Sequence, residues 1–194
     1  MSGPAYMPQA KSQDWQTPPA LFDALDKEFG PFTCDPACNG SEHSAKIILG
    51  RGGLLCWPSE LMRVAATTDF GIARVRCDGL SQPWEGIVYL NPPYGTKGGM
   101  GKWIAKAVAE VECGNAERVV ALIPSRTDTK MWQTAVVKEA AYDRIAAHPA
   151  LVLVRFLPGR VRFTGASASA PFPSAVVVWE AEAPVEQGQQ ELKA

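Results

Sequence analysis

Asn91-Pro92-Pro93-Tyr94 is the string in this chain whose residue types point most directly at chemistry. Two successive prolines fix φ and remove two N–H donors, so the loop presents carbonyl acceptors in a rigid frame. The Asn91 Oδ1 and the Pro92 carbonyl can accept the two hydrogens of an amino group, while the Tyr94 ring stacks on the plane that carries it. A plain proline turn after a strand is the alternative reading. Two acidic residues stand in comparable places, Asp35 after the apolar stretch 32–34 and Asp78 after 75–77. Each alone reads equally well as a helix cap or turn residue. In an open α/β sheet, however, residues at the carboxyl ends of strands converge on one crevice.

The elements that must hold these residues follow from periodicity. Pro18-Pro19 opens a helix in which Leu21, Phe22, Leu25 and Phe29 share a face, and Gly30-Pro31 stops it. Strands are expected at 32–34, 75–77 and 86–90, the last running directly into Asn91. A helix over 100–113 places Trp103, Ile104, Ala107, Val108 and Val111 on one side. Residues 119–123 form an uninterrupted apolar run of the kind buried on both faces of a sheet. A helix over about 129–142 and strands at 151–157, 161–163 and 175–179 complete an α/β layered domain. A single domain is expected over 1–182, with a possible insertion at about 50–74 and a polar tail over 183–194.

Composition excludes several classes. The 194 residues carry 19 Lys+Arg against 20 Asp+Glu, which argues against a generally basic nucleic-acid binder. No apolar run reaches the roughly 18 residues needed to span a bilayer, and the N-terminus lacks the pattern of a signal peptide, so a soluble, cytoplasmic protein is expected. Five cysteines do not form an even disulfide framework. Cys34, Cys38 and His43 invite a zinc reading, but no second ligand pair closes a tetrahedral site, and no metal is expected. The glycine-rich loop from Gly95 to Lys102 fails the phosphate-loop spacing, with Thr96 and Trp103 at the positions that would need Gly and Ser/Thr. It reads instead as a mobile flap or a plain connector.

Asn91-Pro92-Pro93-Tyr94-Gly95 after a strand resembles the motif of S-adenosylmethionine-dependent amino-methyltransferases, above all DNA adenine-N6 methyltransferases. The chain is similar to the compact phage and prophage DNA N-6-adenine methyltransferases over most of its length. That likeness runs from Asp14-Trp15-Gln16-Thr17-Pro18 through Asp78-Gly79-Leu80, Trp84 and Asn91 to Tyr94. It continues with Leu122 to Asp128 and Gly159-Arg160-Val161-Arg162-Phe163, and ends at Pro171-Phe172-Pro173-Ser174. The resemblance implies a Rossmann-like S-adenosylmethionine-dependent methyltransferase fold: a mostly parallel central sheet, a C-terminal antiparallel strand and helices on both faces. It implies Thr17 and Pro18 at the methionine part of the cofactor, Asp35, Pro36 and Ala37 at the first acidic turn, and Asp78 at the adenine amino group. The glycine-rich turn of those relatives is here Asn39-Gly40-Ser41-Glu42, and the stretch 46–77 is longer; Glu60 and Asp69 are its candidates for the ribose hydroxyls.

The implied reaction is methyl transfer to an adenine flipped out of double-stranded DNA, with Asn91, Pro92, Pro93 and Tyr94 as the catalytic set. A bacterial or phage-infected cell is the implied setting, in restriction-modification or in protection of phage DNA. Cytosine N4, an RNA base or a protein glutamine amide also offers a planar amino group, and a non-catalytic DNA-binding module is a further alternative. Charge is segregated along the chain: residues 1–96 sum to −3, 97–162 to +5 and 163–194 to −3. The basic block contains Lys97, Lys102, Arg126, Lys130, Arg155, Arg160 and Arg162. Of these, Lys97, Lys102, Arg126, Arg160 and Arg162 are the expected DNA contacts.

Overall fold

A computed structural model describes residues 15–37, 54–56, 74–76, 79–94, 99–141 and 144–181. Seven strands form the main sheet: β1 (Cys34–Asp35), β2 (Leu54–Cys56), β3 (Arg74–Arg76), β4 (Gly86–Leu90), β5 (Ala116–Pro124), β8 (Leu151–Phe156) and β9 (Ser174–Glu180). Their order is β3-β2-β1-β4-β5-β9-β8. Pairings are parallel from β3 to β5, and antiparallel between β5 and β9 and between β9 and β8. β9 therefore runs alone against six parallel neighbours, the arrangement expected of the C-terminal strand.

The apolar run in β5 is buried on both sides because helices cover both. Val119, Ala121 and Ile123 face one way, joined by Ala175, Val177 and Trp179 of β9 and by Trp103, Ile104, Ala107, Val108 and Val111 of helix α2 (Gly99–Glu112). Val120 and Leu122 face the other way, with Val176, Val178 and the Phe22 and Leu25 side chains of helix α1 (Pro19–Phe29). Alternation with period two thus feeds two cores. Helix α2 stops at Gly114, whose φ of 72° lets its N–H reach Val111 and lets the Asn115 N–H reach the Glu110 carbonyl.

Three sequence expectations are corrected. The helix anticipated over 129–142 ends early: α3 spans Lys130–Ala135, capped by Thr129, and the chain then forms a hairpin of β6 (Val137–Ala141) and β7 (Arg144–Ala147). Val136 and Val137 are β-branched, and a two-residue connection puts an antiparallel partner within immediate reach. The strand expected at 161–163 is absent. Its hydrogen bonds go to a loop instead: the Val161 carbonyl accepts from Ala170, and Thr164 bridges to Gln16. Finally, no strand was expected at 54–56, where β2 lies in the sheet between β3 and β1. Among the described residues no helix is long and apolar enough to cross a membrane.

Candidate active site

Strand order reverses between β1 and β4: β2 and β3 extend to one side, β5, β9 and β8 to the other. Ligand sites of open α/β sheets lie outside the carboxyl ends of the strands at such a switch point. Asp35 ends β1 and Asn91 follows β4, so the two residues flank it, with Cys34 level with Val88.

A chain of buried and half-buried polar groups crosses this point. The Asn91 amide nitrogen donates to the Trp15 carbonyl at 2.5 Å and to Thr17 Oγ1 at 3.2 Å. Thr17, 2% exposed, shares a hydrogen with the Tyr89 hydroxyl. On its other side Asn91 Oδ1 lies 2.7 Å from the Tyr94 hydroxyl, which also lies 2.8 Å from the Leu122 carbonyl. Burial holds both phenols well above the usual tyrosine range, and for Tyr89 the Asp35 carboxylate adds to that effect against the Thr17 hydrogen bond. Both phenols therefore stay protonated.

Tyr94 itself is 4% exposed. Its ring meets Phe163 and Phe172 edge-on, with centroids at 5.9 and 5.4 Å, and Trp15 at 6.4 Å. The stacking expected from the sequence needs an open ring face, so one of these rings must move before a planar group reaches Tyr94. Trp15 is the least anchored of the three: it is half-buried, and its indole N–H is buried without a hydrogen-bond partner.

The Asp35-Pro36-Ala37 turn is held from two sides. An Asp35 carboxylate oxygen accepts the Ala37 N–H at 3.2 Å. Gly79 packs against it so closely that an added Cβ would sit 2.0 Å from the Pro36 oxygen and 2.9 Å from the Trp103 ring. The Gly79 carbonyl in turn accepts the Trp84 indole N–H at 2.7 Å, and the Trp84 backbone N–H donates to the Glu110 carboxylate at 3.0 Å. Burial would raise the Glu110 pKa, but bonds from Lys106, Trp84 and Asn115 outweigh it and hold the carboxyl below its usual value. Gly79 directly follows Asp78 in the chain, so this strut joins the two turns expected to bind the cofactor.

The fold is similar to that of a solved structure. TrmN from Thermus thermophilus aligns with a TM-score of 0.51 at 21% identity, over 84% of this chain and 48% of that one. The two chains share an α/β Rossmann-like fold. The chain spans about half the length of TrmN. No protein-family model matches it, and no curated protein matches it by sequence.

Within this fold, Asn91, Pro92, Pro93, Tyr94, Thr17, Asp35, Pro36 and Ala37 gather at the switch point. Pro18 stands at the N-cap of α1, its carbonyl bonded to Leu21 and Phe22. Asp78 and Lys97 lie outside the described residues, as do Cys38, His43, Glu60 and Asp69. Among the described residues no His, Cys, Asp and Glu cluster could hold a metal. Lys102 is exposed on the first turn of α2. Arg126 lies over the Phe172 ring at 5.7 Å, on the rim of the aromatic cluster. Arg160 and Arg162 are exposed in the loop that carries Phe163. Arg155, counted in the basic block, is instead forked onto Glu28 of α1 at 2.6 and 2.7 Å. Phe163, Tyr89 and the Leu122 carbonyl were not singled out as site groups from the sequence. Phe163 and Leu122 fall in strings that carry the sequence resemblance, but aromatic and aliphatic residues there read as core.

Proposed function

We propose that this protein is a site-specific DNA adenine-N6 methyltransferase that uses S-adenosylmethionine and acts on an adenine flipped out of double-stranded DNA. The observation that carries the reading is the position of Asn91: it follows β4 at the switch point, with its amide immobilised and its Oδ1 turned toward Tyr94. A side chain held in this way offers a fixed acceptor, which is what orienting an exocyclic amino group demands.

The donor set suits the cofactor. Asp35 is a carboxylate 3% exposed at the end of β1, and the missing side chain of Gly79 lets two turns close on one another beside it. Thr17, Pro18, Asp35, Pro36 and Ala37, with Asp78, are the residues that would hold it. When bound, S-adenosylmethionine would supply an electrophilic sulfonium methyl to the N6 lone pair, with the thioether as leaving group and one N6 proton passing to solvent. The residues here position the acceptor nitrogen. Asn91 Oδ1 and the Pro92 carbonyl take its two hydrogens, which favours the tetrahedral geometry of the attacking nitrogen. Once Trp15 withdraws, the Tyr94 ring is a surface for the extruded base. Lys97, Lys102, Arg126, Arg160 and Arg162 then serve the DNA phosphates.

The test is transfer of labelled methyl from S-adenosylmethionine to unmethylated duplex DNA, RNA and protein, followed by mapping of methylated adenines. Label on adenine N6 in DNA is expected. Label in RNA or protein alone, or on cytosine N4, overturns the substrate.

A further inference from the structure

The Tyr94 hydroxyl has one proton and two acceptors. Asn91 Oδ1 lies 2.7 Å away and the Leu122 carbonyl 2.8 Å away. The orientation of the Asn91 amide is settled by the Trp15 carbonyl: reversing it would press Oδ1 against that oxygen at 2.5 Å, acceptor on acceptor. Neither partner of Tyr94 can therefore donate, and a single proton serves both in turn. Tyr94 and Leu122 are buried and Asn91 is half-buried, a setting in which an acceptor with no donor is costly.

We propose that Tyr94 is a positioning residue acting through Asn91, its hydroxyl proton resting on Asn91 Oδ1 in the empty site and moving to the Leu122 carbonyl when an amino hydrogen arrives. The shift frees Oδ1 for the substrate, and once the amino hydrogen is in place both acceptors are served. The phenol stays protonated throughout, and only the direction of its O–H changes. This rests on the methyltransferase reading above and adds to it: the hydroxyl of Tyr94 matters as well as the ring. Packing of the ring against Phe163 and Phe172 keeps that hydroxyl in place while the base enters.

Tyr94→Phe keeps the ring and deletes the hydroxyl, so it separates the two roles. The expected result is a fall in kcat of roughly 10- to 100-fold, the scale of a slightly misplaced acceptor, with KM for DNA and Kd for S-adenosylmethionine each within about twofold of wild type. In an Asn91→Ala background the same change should have no further effect, because its target is gone. A Tyr94→Phe enzyme with wild-type kcat overturns the proposal and leaves stacking alone, as does an undiminished effect in the Asn91→Ala background. Wild-type protein that methylates no nucleic acid would instead overturn the proposed function. The network is then judged by NMR of the Asn91 side-chain amide, and also if Tyr94→Phe does not fold, using 3-fluorotyrosine at position 94. A shift of that resonance is expected when the hydroxyl is removed or altered, and an unchanged resonance overturns the proposal.

Discussion

Gly79 rests on Pro36 with no room for a side chain: an added methyl carbon would meet the proline oxygen at 2.0 Å. That contact brings the turn after β1 against the turn that follows Asp78, and it predicts an asymmetry between glycines. Gly79→Ala forces backbone to move and should cost about 1–3 kcal/mol, as overpacking does, together with a higher Kd for S-adenosylmethionine. Gly101→Ala in the exposed first turn of α2 meets nothing within 4 Å and should be neutral or slightly stabilising. Thermal unfolding and calorimetric titration of both variants check this. Equal behaviour of the two would remove the Gly79 contact from the cofactor site.

Asn91→Ala deletes the fixed acceptor and leaves the strands intact. We expect kcat to fall by roughly 10²- to 10³-fold, the loss seen when one preorganised polar group is removed, with a near-native circular dichroism spectrum. Retained turnover would rule out Asn91 as the group that orients the amino nitrogen.

Tyr89 and Tyr94 should resist alkaline titration. The chain has 4 tyrosines, and burial raises the pKa of these two above the ordinary value. Their contribution to stability is complete below the unfolded value of about 10 and is lost as pH rises toward the folded value, because the unfolded chain then releases protons that the folded one keeps. Absorbance near the phenolate band should show two tyrosines ionising only together with unfolding. Four tyrosines titrating before unfolding would contradict the burial of this pair.

Glu110 links α2 to the Trp84 strut. Its carboxyl is held below the usual value, so its contribution is present at neutral pH and is lost as pH falls through the folded-state value. Glu110→Gln should destabilise the protein by about 1–3 kcal/mol at pH 7, since it weakens the bonds to Trp84, Lys106 and Asn115. The deficit relative to wild type should shrink in acid, and denaturant melts at several pH values measure it.

Arg160→Ala and Arg162→Ala should weaken DNA binding and flatten its salt dependence, by a slope of up to about 1 per charge removed. Arg155→Ala serves as the control. That guanidinium is already bidentate with Glu28, which holds the Glu28 carboxyl below its usual value, so its removal should leave the slope unchanged. Fluorescence anisotropy with a labelled duplex across salt concentrations distinguishes them.

Much of the scaffold was legible in local pattern. The apolar runs at 86–90 and 119–123 and the helical period beginning near 100 are local signals, and each lies within a few residues of its observed bounds. The hairpin after α3 was not, because residues 137–141 contain Lys, Glu and two alanines, all compatible with helix, and only the partner strand at 144–147 selects extended backbone. β2 was missed for a related reason: three residues are too few to show a period, and their strand identity comes from lying between β1 and β3.

The sequence alone determined which atoms are available for chemistry: an amide, two prolines and a phenol in a row at the end of a strand, and acids at the ends of two others. Backbone covalent geometry and side-chain type are local properties, so they can be read without a fold. The tertiary structure decided where those atoms point. It turned the Asn91 amide toward Trp15 and Thr17, gave the Tyr94 proton two acceptors 31 residues apart in sequence, and spent Arg155 on Glu28. Each of these depends on a hydrogen bond or ion pair between groups distant along the chain, and such distances do not exist until the sheet brings its strands together.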